Sequence, residues 1–304
     1  MAPAAGVADR PGGGGVIYAW LARRRARGDV LTTGAPSLTH PVSQACTQAQ
    51  LAEAAYAHWC RRIGEEPRAH RKQWEFCFIA QALARGGMLA PGLAGLGFGV
   101  GGEPLSALFA ASGVGIVATD LMPADAAALG WVETAQHARS REALNDRGLC
   151  PPDVFDRLVE LRYADMNALP ADLTGFDFCW SACALEHLGS IALGLAFIRN
   201  SLGALRPGGL AVHTTEFNCC SDEDTLDGSS TVLFRRRDLL GLARALIAEG
   251  HQIRLNFELG DLPLDRYVDI APYSADNHLK LRIEKWVTTS FGLIVRKVGG
   301  DGRG

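Results

Sequence analysis

Three groups of residues in this chain have types and spacings suited to chemistry. The first is Gly95-Leu96-Gly97-Phe98-Gly99-Val100-Gly101-Gly102-Glu103-Pro104. Alternating glycines remove Cβ atoms and permit positive φ where backbone must approach a ligand, and Pro104 opens a helix whose first N–H groups are unpaired. The flanks, apolar residues 93–96 and a helical pattern over 105–111, make this a strand, tight turn and helix. The second group is acidic. Asp120 ends the apolar run Gly115-Ile116-Val117-Ala118-Thr119-Asp120, and Asp165 sits in Arg162-Tyr163-Ala164-Asp165-Met166-Asn167. A carboxylate at the carboxyl edge of a second strand accepts ribose hydroxyls, and one at the third suits an adenine amino group. The competing readings are a helix N-cap for Asp120 and an ordinary turn for Asp165. The third group is Ala184-Leu185-Glu186-His187-Leu188 with His213-Thr214-Thr215-Glu216-Phe217-Asn218, acid/base side chains beyond two apolar strands.

Two cofactor classes fit the glycines. Gly97, Gly99 and Gly102 have the G-x-G-x-x-G spacing of dinucleotide-binding folds, and Gly97, Gly99 and Gly101 the G-x-G-x-G of S-adenosylmethionine binding. The later segments separate them. Phe176-Asp177-Phe178-Cys179-Trp180-Ser181, then the segment at 184–188, then Leu205-Arg206-Pro207-Gly208-Gly209 before an apolar strand at 210–215 follow the glycine run in order. This ordered set resembles class I S-adenosylmethionine-dependent methyltransferases over residues 90–257. The resemblance implies that Gly97, Phe98, Gly99 and Gly101 cradle the cofactor. Asp120 with Leu121 would then meet its ribose, Asp165 with Met166 its adenine, and Ser181 and Ala182 would flank the methyl group. The family usually has an acidic residue two places before the first motif glycine, contacting the methionine amino group. Gly95 stands there in this chain, so the methionine end must be held from elsewhere, by Glu103 or by the amino-terminal region.

A methyl group on a sulfonium is already activated, so a methyltransferase chiefly aligns a nucleophile and, for a hydroxyl, removes its proton. His187 leads as that base and Glu216 is the other candidate. The bland alternative for His187 is a structural partner of Glu186 or of a backbone carbonyl. Strand alternation puts His213 and Thr215 on one face, Thr214 and Glu216 on the other. Trp74, Glu186, His213, Asn218 and Tyr273 complete the expected acceptor contacts. Glu186, His187, His213 and Glu216 offer mixed metal ligands, and small-RNA 2′-O-methyltransferases look similar here, with E-x-x-E-H binding a metal. Cys183 replaces the first carboxylate of that pattern, so no metal is expected.

Residues 70–75, His-Arg-Lys-Gln-Trp-Glu, read either as a lid over the cofactor or as a solvated helix with Trp74 in the core. Arg235, Arg236 and Arg237 precede a helix, where its dipole disfavours positive charge, and they read either as contacts to a phosphate or carboxylate on the acceptor or as solvated side chains. Asp265, Tyr267, Asp269, Tyr273 and His278 in the late connection are further acceptor contacts.

These side chains require a doubly wound α/β fold: a mostly parallel seven-stranded sheet with an antiparallel last strand, plus an N-terminal helical extension. The expected divisions are a tail at 1–15, a helical extension or lid at 16–87, the methyltransferase domain at 88–298 and a tail at 299–304. An inserted helix is expected within 131–145, a helix at 238–250, strands at 252–257 and 287–298, and a helix within 278–286. With 304 residues, 48% hydrophobic and 21% charged, the chain is globular. A net charge of -3 gives no footprint for nucleic acid, and neither a secretory signal nor a membrane span is expected, so the protein reads as cytoplasmic. Its eight cysteines form no C-x-x-C pair and read as free thiols.

The reading is a methyltransferase acting on a small acceptor, most simply a hydroxyl of a sugar-like or secondary metabolite, with a homodimer one option for its assembly. Two alternatives are a nicotinamide-dependent oxidoreductase using Gly102 and a non-catalytic S-adenosylmethionine-binding partner protein, to which Gly95 points.

Overall fold

The computed structural model describes residues 30–123, 137–138 and 140–299. The expected tail at 1–15, the start of the extension, residues 131–136 of the expected inserted helix and residues 300–304 lie outside them.

The first half of the sheet follows the sequence pattern closely. Strands β2 (Ala94–Phe98), β3 (Gly115–Asp120), β4 (Val159–Tyr163), β5 (Phe176–Ala182) and β6 (Leu205–Asn218) run parallel in the order β4-β3-β2-β5-β6. β10 (Trp286–Arg296) pairs antiparallel to β6, from Thr288↔Asn218 to Arg296↔Leu210. Helices α4 (Leu105–Ala110), α5 (Pro152–Leu158), α6 (Ile191–Ser201) and α7 (Arg236–Ala248) cross between strands. Parallel neighbours need such crossovers to return the chain to the same edge.

The far edge differs from expectation: among the described residues the sheet has ten strands, not seven. The extension supplies a strand of its own, β1 (Ser43–Ala45), besides the helices α1 (Gln48–Leu51), α2 (Ala54–Arg62) and α3 (Arg71–Arg85). The run at 252–257 divides into β7 (Gln252–Ile253), paired with β10, and β8 (Leu255–Asn256), paired with β1. β1 inserts between β10 and β8 through Gln44↔Gly292 and Gln44↔Asn256. The helix expected within 278–286 is instead β9 (Lys280–Ile283), a hairpin partner of β10 with Trp286 opposite Ile283. Glu284 takes φ 51° in the connecting turn. Pairing with a long neighbouring strand satisfies more backbone groups here than one isolated helical turn. A short α8 (Pro263–Arg266) lies in the same connection.

Two apolar layers cover the sheet. α3 contributes Trp74, Phe78, Ile79 and Leu83, all fully buried, to the layer that also holds Phe109 and Trp180. A Cβ at Gly292 would lie 2.1 Å from the Phe78 ring, so the bare backbone of β10 is what lets α3 settle on the sheet. The opposite layer joins Phe98, Phe197, Leu239 and Phe291. All eight cysteines are unpaired. Among the described residues no helix is long and apolar enough to cross a membrane.

Candidate active site

A cavity of about 490 Å³ opens at the carboxyl ends of β2, β3, β5 and β6, where ligands of open α/β sheets bind. One wall is the glycine turn. Gly99 and Gly101 adopt φ 57° and 50°, which an L side chain rarely takes. Packing adds a second demand: a Cβ at Gly97 would meet the Trp180 ring at 2.5 Å, and one at Gly99 the Ala184 Cβ at 2.9 Å.

Asp120 holds this turn in place. Its Oδ2 accepts the N–H groups of Gly101 (3.1 Å) and Ala138 (2.9 Å), and its Oδ1 accepts that of Leu121 (2.8 Å). It is 2% exposed and lines the cavity. Glu103 lines the same wall, with Oε1 accepting the Trp180 indole N–H at 2.5 Å. Burial pushes its carboxyl up to about 8, even though that hydrogen bond lowers it.

The other wall is made of charge. Arg71, at the start of α3, ion-pairs with Glu216 near the tip of β6 and donates to Ser290 Oγ (3.2 Å). Lys72 reaches Glu75 at 3.3 Å, and Glu75 also accepts from Thr214 (3.1 Å) and Ser290 (2.5 Å). Burial alone would raise the Glu75 carboxyl, but Lys72 and Arg71 outweigh it and hold it below its ordinary range. Glu186 is 1% exposed, accepts from Thr215 Oγ1 at 3.3 Å and has its pKa raised, first by burial and also by the nearby charge of Glu216. His187 Nδ1 lies 2.7 Å from the Ser230 carbonyl oxygen, to which it donates, and 3.4 Å from Thr231 Oγ1.

Cys183 turns the chain after β5 with φ 46°, its thiol pushed well up by burial. Its sulfur and carboxylate oxygens of Glu186 and Glu216 lie within 4.8 Å of one another, close enough to share a cation. Arg71 and Lys72 already supply positive charge beside them. Neither His187 nor His213 joins that cluster.

Several residues named from sequence fall elsewhere. His213 is buried between Ser181 Oγ (2.8 Å) and Ser201 Oγ (3.2 Å), where burial lowers its pKa to about 3. It faces α6, as the alternation places it, and Ser181 turns toward it rather than toward the cavity. Trp74 stacks on Phe78 in the core and donates to Gln50. Phe98 packs edge-on against Phe197 in the opposite layer. Asn218 organises the following loop, accepting from Cys220 N (2.8 Å) and Ser221 N (3.1 Å). Leu121 lies outside the cavity lining, and Met166 is buried with its sulfur beside Gly99. Asp165 is exposed, its Oδ1 held by Asn167 N at 2.8 Å. Ala182, Glu186, His187, Glu216 and Tyr273 do line the cavity. Arg235 pairs with Asp238 and Arg237 with Glu223, so these arginines build a helix start instead of meeting a ligand. Asp265 caps backbone at Gln48 and Leu262, and Asp269 binds His278 at 2.6 Å.

Phe76, Thr231, Leu281 and Ile283 also line the cavity and were not singled out from the sequence. For Arg71 and Lys72 a signal existed: cations in the first turn of a helix oppose its dipole unless a partner compensates.

A mostly parallel, doubly wound sheet with an antiparallel last long strand and a glycine turn after the strand preceding α4 is the arrangement that the resemblance to class I methyltransferases implies. No protein-family model and no curated protein sequence matches the chain. Among solved structures it is similar to a protein assigned as a sarcosine dimethylglycine methyltransferase from Galdieria sulphuraria, at 16% identity and TM-score 0.45, covering 81% of this chain and 99% of that one. It is also similar to the glycopeptide N-methyltransferase MtfA, at 15% identity and TM-score 0.42 over 72% of this chain and 94% of that one. The N-terminal domain of EvdMO1, solved with SAH bound, matches at 16% identity and TM-score 0.41 over 72% of this chain and 80% of that one.

Proposed function

We propose that this protein transfers a methyl group from S-adenosylmethionine to a hydroxyl of a small, sugar-like or secondary metabolite. One observation carries the reading. A single cavity joins the glycine turn and Asp120 on one side to Glu186, His187 and Glu216 on the other. Gly99, Gly101 and Asp120 would hold the adenosyl end, with Ala182 at the reacting centre. Bound S-adenosylmethionine supplies an activated methyl group. His187 Nε2 takes the proton of the acceptor hydroxyl while Nδ1 keeps the ring oriented on the Ser230 carbonyl. Glu216 and Arg71 fix the acceptor, and Tyr273 closes the cavity's outer side. A net charge of -3 accords with a small acceptor rather than a nucleic acid.

The test is calorimetry on the full chain with S-adenosylhomocysteine and with NAD. S-Adenosylhomocysteine should bind and NAD should not. Asp120→Ala should weaken the former by about tenfold or more, since it frees the turn as well as removing a ligand contact. Binding of NAD alone would favour the oxidoreductase reading, because Gly102 also lines this cavity. Binding without turnover on any acceptor would leave a non-catalytic partner protein.

A further inference from the structure

Glu103 is the unusual charge of this molecule. It is 7% exposed, and it faces both the main cavity and an adjoining one of about 250 Å³. Among the described residues no ion pair forms to it, and the Trp180 indole is its one side-chain partner. Of the other strongly buried carboxylates in and behind the main cavity wall, Glu75 and Glu216 have cations and Asp120 has three N–H groups, while Glu186, also without an ion pair among the described residues, accepts from Thr215 Oγ1. A buried acid without a cation is costly, and such groups concentrate where a ligand completes them. The missing partner is a cation or a strong donor, delivered from the cavity.

The surroundings say where that partner sits. At Gly95, two residues before the turn, a Cβ would lie 2.4 Å from the Phe178 ring, so no side chain can enter from the β2 side. Trp180 lies across Gly97 and presents its N–H to Glu103. Phe178 and Trp180 thus close the near side of the turn and orient a carboxylate from its far side. The groups facing Glu103 are Lys72, Asp120 and Glu75, with His137, Asp146 and Arg147 around the adjoining cavity. Lys72 is held by Glu75 and Arg147 by Glu65, so neither cation is spare.

We propose that Glu103 is the receptor for the α-ammonium group of the bound cofactor. This rests on the methyltransferase reading above. It also predicts a proton balance. Empty, Glu103 is largely protonated at neutral pH, because its pKa is raised to about 8. The ligand arrives with its ammonium already charged, so ion pairing requires the Glu103 carboxyl proton to leave to the buffer.

The experiment titrates the full chain at pH 7 with S-adenosylhomocysteine and with 5′-methylthioadenosine, a thioether lacking the amino-acid end, in buffers of different ionisation enthalpy. The native chain should release a proton, in part or in full, on binding S-adenosylhomocysteine and none on binding 5′-methylthioadenosine. Glu103→Gln should bind S-adenosylhomocysteine about tenfold or more weakly, without proton release, and bind 5′-methylthioadenosine as the native chain does. Unchanged S-adenosylhomocysteine affinity in Glu103→Gln overturns the assignment, as does an equal weakening of both ligands. Absence of proton release from the native chain overturns it without any variant. If the native chain binds neither compound, the methyltransferase reading fails and the assignment fails with it.

Discussion

The two walls of the cavity are built by different means. The glycine wall comes mostly from residues 97–121, one strand-turn-helix-strand unit, and its fixed geometry rests on backbone N–H groups gathered by Asp120. The acceptor wall is collected from positions 71, 72, 186, 187 and 216, backed by Glu75 and Ser290, and it is held by ion pairs and hydroxyl donors in a buried setting. The contrast is one of range and of fragility. The glycine wall hangs on one carboxylate that accepts neutral N–H donors, so losing that side chain leaves no buried charge behind. Removing one partner of a buried ion pair leaves the other uncompensated.

The largest effect that would sharpen this contrast is on stability. Glu75→Ala takes the carboxylate from Lys72, Thr214 and Ser290 at once and should cost about 3–5 kcal/mol in denaturant unfolding. A loss below about 1 kcal/mol would show that the acceptor wall is not held by charge. The same carboxyl predicts a pH dependence. Its folded pKa lies below its ordinary 4.5, so its stabilisation is full above that value and fades as pH falls through the lower, folded one. In Glu75→Ala that acid-side loss should shrink.

A smaller and purely kinetic effect is expected next. His187→Ala should lower kcat by about 10² or more while S-adenosylhomocysteine affinity stays within about twofold. Parallel losses in both quantities would join the two walls into one functional unit and erase the distinction. The smallest effect belongs to the rim. Tyr273 is 46% exposed, and its hydroxyl donates to the Arg282 carbonyl at 2.8 Å. Tyr273→Phe should change stability by no more than about 1 kcal/mol and raise the acceptor KM modestly. A fall in kcat comparable to that of His187→Ala would move Tyr273 into the reacting centre.

Legibility in the sequence followed the same division. Residues 95–104 and 115–120 announced a turn and an acid because each demand is local: φ, a missing Cβ, a helix start, a strand end. The polar stretch at 213–218 was recognisable as a strand tip, and its alternation correctly separated His213 from Glu216. Which of the two faces held the cavity was not recognisable, because that depends on α3 lying over β6 and β10. For the same reason Trp74 reads as either lid or core until Phe78 is seen against Gly292. The hairpin at 280–296 and the inserted β1 were missed because strand pairing is a contract between distant segments.

By itself, then, the order of residues determined the alternation of strands and helices, the backbone shape of the glycine turn and the acid that ends β3, since steric and hydrogen-bonding preferences act over a few positions. Only the tertiary structure decided that Arg71 meets Glu216, that His213 is withdrawn into the core while His187 reaches the cavity, and that Glu103 stands buried without a cation. Burial and Coulomb interaction depend on distances in space, and those exist only once the sheet and α3 have packed.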